Sequence, residues 1–208
     1  MGEFNRKDHW EQIYSTKSPS EVSWYQPTPE TSLSLIQSIG IPKDARIIDI
    51  GGGDSLLVDH LLDEGYSNLT VLDISAKAIQ RAQKRLGDRS KMVNWIVSDV
   101  VSFKPEVEYD LWHDRATFHF LTEENEISQY LLTANRGLSQ KGYLVVGTFS
   151  ENGPKKCSGI EVRQYSERSM TKHFQTYFDR IKCILEDHLT PSGNIQNFIF
   201  CSFKRIAI

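Results

Sequence analysis

The sequence predicts an α/β fold, a mostly parallel sheet with helices on both faces and an antiparallel hairpin at its C-terminal end. Three observations predict it. Short apolar, strand-like runs alternate with helical runs between about residues 45 and 150, the pattern of successive parallel strands joined by crossover helices. A glycine stretch, IIDIGGGDSLL at 47–57, follows the first of those runs. Two strand-like runs, 180–189 and 194–206, are joined only through TPSGN. That turn is too short for a crossover helix, so the pair should be antiparallel.

Residues 8–18 place Trp10, Ile13 and Tyr14 at helical spacing. A Pro-containing loop follows. Thr28 reads as an N-cap with Pro29 at the first helical position, and Gly40 stops the helix after Ile39. Strands are expected at 45–50, 69–74, 93–100, within 108–115 and at 142–150, and helices at 56–65, 75–87, 125–139 and 167–178. Ser75 and Gly87 cap and end the helix at 75–87. The 208 residues suffice for one domain over 1–208, with an N-terminal lid and first helix in 1–40 and a core sheet in 45–206.

The net charge of −3 gives no bulk positive field for nucleic acid. No apolar run approaches membrane-spanning length, and Met1–Trp10 is polar and charged. No membrane or nucleic-acid partner is expected. Cys157, Cys183 and Cys201 are odd in number, with no CxxC spacing. They read as free thiols in a reducing cytoplasm, with Cys183 and Cys201 buried on core strands and Cys157 in a polar loop.

A glycine loop at the carboxyl end of the first strand lies where the sheet's topology switches, the position at which ligands enter such folds. It lacks the Gly-Lys-Ser/Thr ending of a phosphate loop. Gly51 and Gly53 fill two places of a dinucleotide fingerprint, but Leu56 stands in the third. A nicotinamide-binding oxidoreductase is therefore the weaker alternative, and a cofactor-binding protein without chemistry is a third.

The run Asp49, Gly51, Gly52, Gly53 and Ser55 resembles the acid-x-Gly-x-Gly motif of class I S-adenosylmethionine-dependent methyltransferases, and the resemblance extends from about residue 45 to the C-terminus. It implies a Rossmann-like seven-stranded sheet whose antiparallel last strand is inserted beside the fifth. It also implies S-adenosyl-L-methionine as cofactor, with Asp49 and the glycines at its methionine end. Asp73 would take the ribose hydroxyls and Asp99 the adenine amino group, with Ile74 packing on the ring and the Val100 N–H meeting a ring nitrogen.

The family places substrate-side residues after the fourth strand, here Leu111–Phe120. His113, Asp114, Arg115 and His119 form a polar cluster there and are the candidate catalytic residues. The Asn/Asp-Pro-Pro-aromatic motif of enzymes acting on amide or base nitrogens is absent from this stretch. The spacing of His113 and His119 does not complete a zinc site, so no catalytic metal is expected. Trp10, Tyr14, Trp24 and Tyr25 resemble the lids of small methyltransferases of the thiopurine and elongation-factor-lysine groups, and Trp24 and Tyr25 should face the cofactor. The expected acceptor is a nucleophile on a small molecule, with a protein lysine as the alternative.

Overall fold

The computed structural model describes residues 4–207, so residues 1–3 and 208 of the expected domain lie outside the described residues. The strands are β1 Arg46–Ile50, β2 Asn68–Asp73, β3 Val93–Val97, β4 Tyr109–Arg115, β5 Leu138–Phe149, β6 Lys156–Cys157, β7 Ile160–Glu161, β8 Phe178–Leu189 and β9 Ile195–Arg205. Seven of them form one sheet in the order β3-β2-β1-β4-β5-β9-β8, and β6 and β7 make a separate two-stranded ribbon. β1 to β5 are parallel, whereas β9 runs antiparallel to both β5 and β8.

Ile47, Ile48 and Ile50 of β1 are all buried, because this central strand is covered on both faces. On one face, helices α2 (Glu30–Ile39) and α3 (Leu57–Asp63) pack Leu35, Ile36, Leu57 and Leu61 with Leu111, Val145, Phe149 and Phe198. On the other, helices α5 (Glu124–Gly137) and α6 (Glu167–Phe174) bury Tyr130, Met170 and Phe174 with Trp112, Phe118 and Phe203. Burying each such large side chain fully contributes about 1.5–3 kcal/mol. Two further helices, α1 (Arg6–Thr16) and α4 (Ala76–Leu86), pack against each other.

The expected elements form, with local differences. Helix α2 begins at Glu30, and Thr28 does not cap it; Pro29 occupies the cap position, and the Glu30 N–H donates to the Thr28 carbonyl instead. β3 stops at Val97, because Asp99 turns the chain by accepting the Val101 N–H at 3.0 Å. β5 starts at Leu138, directly from α5, and α6 ends at Phe174. As expected, Ser75 caps α4, its hydroxyl oxygen accepting the Ala78 N–H at 3.2 Å. No helix among the described residues is long and apolar enough to cross a membrane.

The free-thiol reading of Cys183 and Cys201 is corrected. The β8–β9 register sets them directly opposite, with Cα atoms 4.1 Å apart, and they form a disulfide. The bond removes the cysteine argument for a reducing compartment. Cys157 stays free, as expected, but it is buried at the end of β6 in the small ribbon rather than in a loop.

Candidate active site

The carboxyl ends of β1, β2 and β4 open into one cavity, roofed by α1 and the segment 19–29, with about 1270 Å³ of non-protein space including its mouth. Backbone geometry makes the floor. Gly51 and Gly53 have φ of +65° and +33°. A Cβ at Gly51 would strike the Thr117 hydroxyl, and one at Gly53 the Asp73 carboxylate. Only glycine fits both the torsions and the space. A side chain at Gly52 would likewise meet Asp49. Gly51, Gly52 and Ser55 line the cavity, while Gly53 lets the chain pass close to Asp73.

Three acids at successive strand ends face this floor. Asp49 is buried, and its carboxylate accepts from His113 Nδ1 at 2.7 Å; His113 Nε2 meets the Ser32 hydroxyl at 2.9 Å. With both ring nitrogens engaged, His113 fixes the position of Asp49. Asp73 accepts the Ser75 N–H at 2.8 Å through one oxygen. Burial, assisted by Asp49 and Glu11 nearby, pushes its carboxyl up to about 7, against the pull of the Ser75 bond. Its other oxygen keeps the lone pairs that a diol would engage. Asp99 pairs with Arg6 of α1 at 3.2 Å. Ile74 and Val100 lie on the same wall.

The roof is latched at both ends. Glu11 accepts the Ala76 N–H at 2.8 Å and the Lys77 N–H at 3.3 Å, so a carboxylate from α1 meets the positive N-terminus of α4. Arg6 bridges Asp99 and Glu126, the latter at 2.6 Å. Between these latches Trp10 packs edge-on against Trp24 at 5.7 Å and Phe120 at 5.1 Å. Trp24 and Tyr25 line the cavity, as do Trp10 and Tyr14.

The polar cluster after β4 is split, because successive strand residues point to opposite faces. His113 and Arg115 reach the cavity. Asp114 does not, which corrects its candidate catalytic role: it faces α5, accepts the Tyr130 hydroxyl at 2.8 Å, and holds the turn through the N–H groups of Thr117 and Phe118. Burial raises its carboxyl to about 6. His119 is also off the cavity wall. It is fully buried between Phe120 and Phe149, and Nδ1 accepts the Phe149 N–H at 3.3 Å. Burial, together with the Arg115 charge, lowers it to about 3, so it stays neutral.

Arg115 donates from Nη1 to the Trp24 carbonyl at 2.9 Å, and its guanidinium carbon lies 4.8 Å from the Phe198 ring centre. The next residue, Ala116, has φ of +72°, a strained torsion for a residue with a Cβ, on the cavity wall itself. Phe149, Cys157, Gln196 and Phe198 complete this side. Burial raises the Cys157 thiol, so it is not a ready thiolate. The sequence reading did not single out Arg6, Glu11, Ser32, Thr117 or Phe198.

Residues 48–144 match the family model described as a methyltransferase domain. The chain is 28% identical over 142 residues to the mouse (Mus musculus) eEF1A lysine and N-terminal methyltransferase, covering 67% of this chain and 20% of that protein. It is 31% identical over 111 residues to malonyl-[acyl-carrier protein] O-methyltransferase 1 of Ilyobacter polytropus, covering 53% of this chain and 40% of that protein. The chain thus spans well under half the length of both relatives. Among solved structures, the N-methyltransferase NodS of Bradyrhizobium japonicum with S-adenosyl-L-homocysteine superposes with a TM-score of 0.71 at 16% identity, over 95% of this chain and 99% of that one. A structure from work on the conversion of a disulfide into a thioacetal in echinomycin biosynthesis gives 0.77 at 16% identity, over 96% and 93%. At such identities the likeness to the solved structures is one of fold, and the methyltransferase-domain match covers residues 48–144, the segment that carries the glycine cradle.

Proposed function

We propose that the chain, working as one domain, moves the methyl group of S-adenosylmethionine to a nucleophile on a small molecule held in the roofed cavity. The observation that carries this reading is the glycine cradle flanked by Asp49, Asp73 and Asp99 at the floor of a space that Trp10, Tyr14, Trp24 and Phe120 line with aromatic surface. The free oxygen of Asp73 fits a ribose diol and repels a 2′-phosphate. Asp49, held by His113, which Ser32 holds in turn, would orient the amino-acid end. Ile74 and Val100 would pack against the base, with Asp99 at its edge. The bound cofactor supplies a methyl carbon on a sulfonium, from which the electron pair of the breaking bond stays on sulfur. The residues of this chain contribute position and the exclusion of water.

Among the described residues the acceptor wall presents no ready thiolate or phenolate. Both nitrogens of His113 are engaged, and burial raises the Cys157 thiol and the Tyr14 phenol. That favours an acceptor arriving with its lone pair already free over a lysine ammonium, which must first lose a proton. A protein lysine remains the second reading, favoured by the 28% identity to an eEF1A lysine methyltransferase and by the cluster of Trp10, Tyr14, Trp24 and Phe120.

Calorimetry with S-adenosylmethionine, S-adenosylhomocysteine and NADH tests the cofactor. Binding of NADH with no response to the two sulfur ligands would overturn the proposal. Transfer of labelled methyl groups into lysate, separated by size, then tells a small acceptor from a protein one.

A further inference from the structure

Arg115 is an ion without a counter-ion. Its Nε and Nη2 are out of reach of water and have no hydrogen-bond partner, and its single hydrogen bond is the one from Nη1 to the Trp24 carbonyl. Among the described residues no carboxylate lies within 4.0 Å of it, while the neighbouring acids of the cavity are engaged elsewhere: Asp49 by His113, Asp54 by Arg81 and Arg85, and Asp99 by Arg6. Glu186 is the strongest charge acting on Arg115, from beyond that distance; one of its oxygens meets Gln26 at 3.4 Å, and the other is buried without a partner. Burying a charge in such surroundings is unfavourable unless something pairs with it. A neutral donor would serve the Trp24 carbonyl equally well, and the face of Phe198 offsets only part of the cost of a buried cation.

We infer that Arg115 is the anchor for a carboxylate on the methyl acceptor, so that the substrate is a small organic anion with an apolar body. This inference rests on the methyl-transfer reading of the cavity. The planar guanidinium presents its unpaired Nε–Nη2 edge in the geometry that matches a carboxylate with two parallel hydrogen bonds. The residue is half-buried and forms part of the wall. A single bond to one carbonyl is a weak tether, and on this inference the side chain turns that edge, closed to water in this structure, toward the cavity when a ligand binds. Phe149, Phe198 and Trp24 offer aromatic surface beside it for the rest of the molecule. His188, the other basic group close by, is bonded to the Ser23 carbonyl at 2.7 Å and kept neutral by burial. One cation in apolar surroundings balances a single negative charge, which selects a carboxylate over a phosphate dianion. The same cation repels a lysine ammonium.

Three near-isosteric probes differing in charge test this: 3-phenylpropionate, 3-phenylpropionamide and 3-phenylpropylamine, titrated calorimetrically into protein saturated with S-adenosylhomocysteine. The carboxylate should bind at least about ten-fold tighter than the amide, the scale of a charge-assisted pair, and the amine more weakly still. In R115Q the preference should collapse to within about two-fold while S-adenosylhomocysteine binds as before, and R115K should retain part of it. Equal affinities, no binding of any probe, preference for the amine, or a carboxylate preference that survives in R115Q would each overturn the inference. Failure of wild-type protein to bind S-adenosylhomocysteine would instead overturn the methyl-transfer reading beneath it.

Discussion

The two halves of the cavity are built in opposite ways. Under β1, β2 and β3 the wall is backbone and short acids: Gly51, Gly52, Asp49, Asp73 and Asp99, each at a strand end or the turn just after one. Under β4, β5 and the hairpin it is long side chains converging from distant segments, with Arg115 from β4, Trp24 from the roof, Cys157 from the ribbon and Phe198 from β9. A backbone cradle recognises one ligand and tolerates little change. A wall of long side chains can be rebuilt residue by residue, which is how one fold serves many acceptors.

The comparison breaks most visibly at Gly51. Gly51→Val puts a branched Cβ at φ +65° against the Thr117 hydroxyl. It should abolish S-adenosylhomocysteine binding in calorimetry and lower stability in urea by at least about 1–3 kcal/mol. The opposite half is probed by Cys183→Ser with Cys201→Ser. The lost bond closes a loop with sequence separation 18, so stability should fall by about 2–3 kcal/mol. S-adenosylhomocysteine affinity should stay within about two-fold, since a global ΔΔG distant from the cradle does not touch it. A large loss of affinity would show that the halves are not independent.

Asp73 sharpens the contrast through pH. Its carboxyl in the fold, at about 7, lies above the ordinary value of about 3.9 for an unfolded chain. The folded state therefore favours the proton. The stability Asp73 contributes is present at about pH 4 and below, and is lost as pH rises through about 7. Ligand-free wild-type protein should lose melting temperature against Asp73→Asn over that window, and parallel pH profiles would remove the claim. Over the same window S-adenosylmethionine binding should tighten, because the diol needs the carboxylate. Asp73→Asn should weaken that binding by about 1–3 kcal/mol. The smallest effect belongs to the roof. Glu11→Ala removes the acceptor at the start of α4 and should lower stability by about 1 kcal/mol. Faster proteolysis in the segment 6–26, with an unchanged cradle, is the accompanying readout.

What could be read from the chain follows the same division. Asp49, Asp73 and Asp99 are legible because strand, loop and acid are neighbours in sequence as well as in space, and the alternation of strands and helices fixes which end of the sheet they share. The His113–Asp114–Arg115 cluster was readable only in part. The period of two along a strand sends Asp114 to Tyr130 and its neighbours to the cavity, a division the sequence pattern itself contains. The disulfide was within reach for a similar reason, since folding the hairpin symmetrically about Ser192 sets Cys183 opposite Cys201. The partners of Arg6, Glu11 and Arg115 were not legible. Arg6 meets Asp99 across 93 residues and Arg115 meets Trp24 across 91, and no local pattern encodes such pairings.

The position of β9 has a consequence for synthesis. β8 precedes it in the chain yet touches the sheet only through β9. As the polypeptide leaves the ribosome, residues 46–99 can settle into parallel strands and form the cradle, while β8 must wait for β9 before it has any partner in the sheet. Phe198, which backs Arg115, comes with the final strand. The wall around Arg115 is thus completed last, and a chain stalled before β9 holds the floor of the cavity without Gln196 and Phe198 on the facing side.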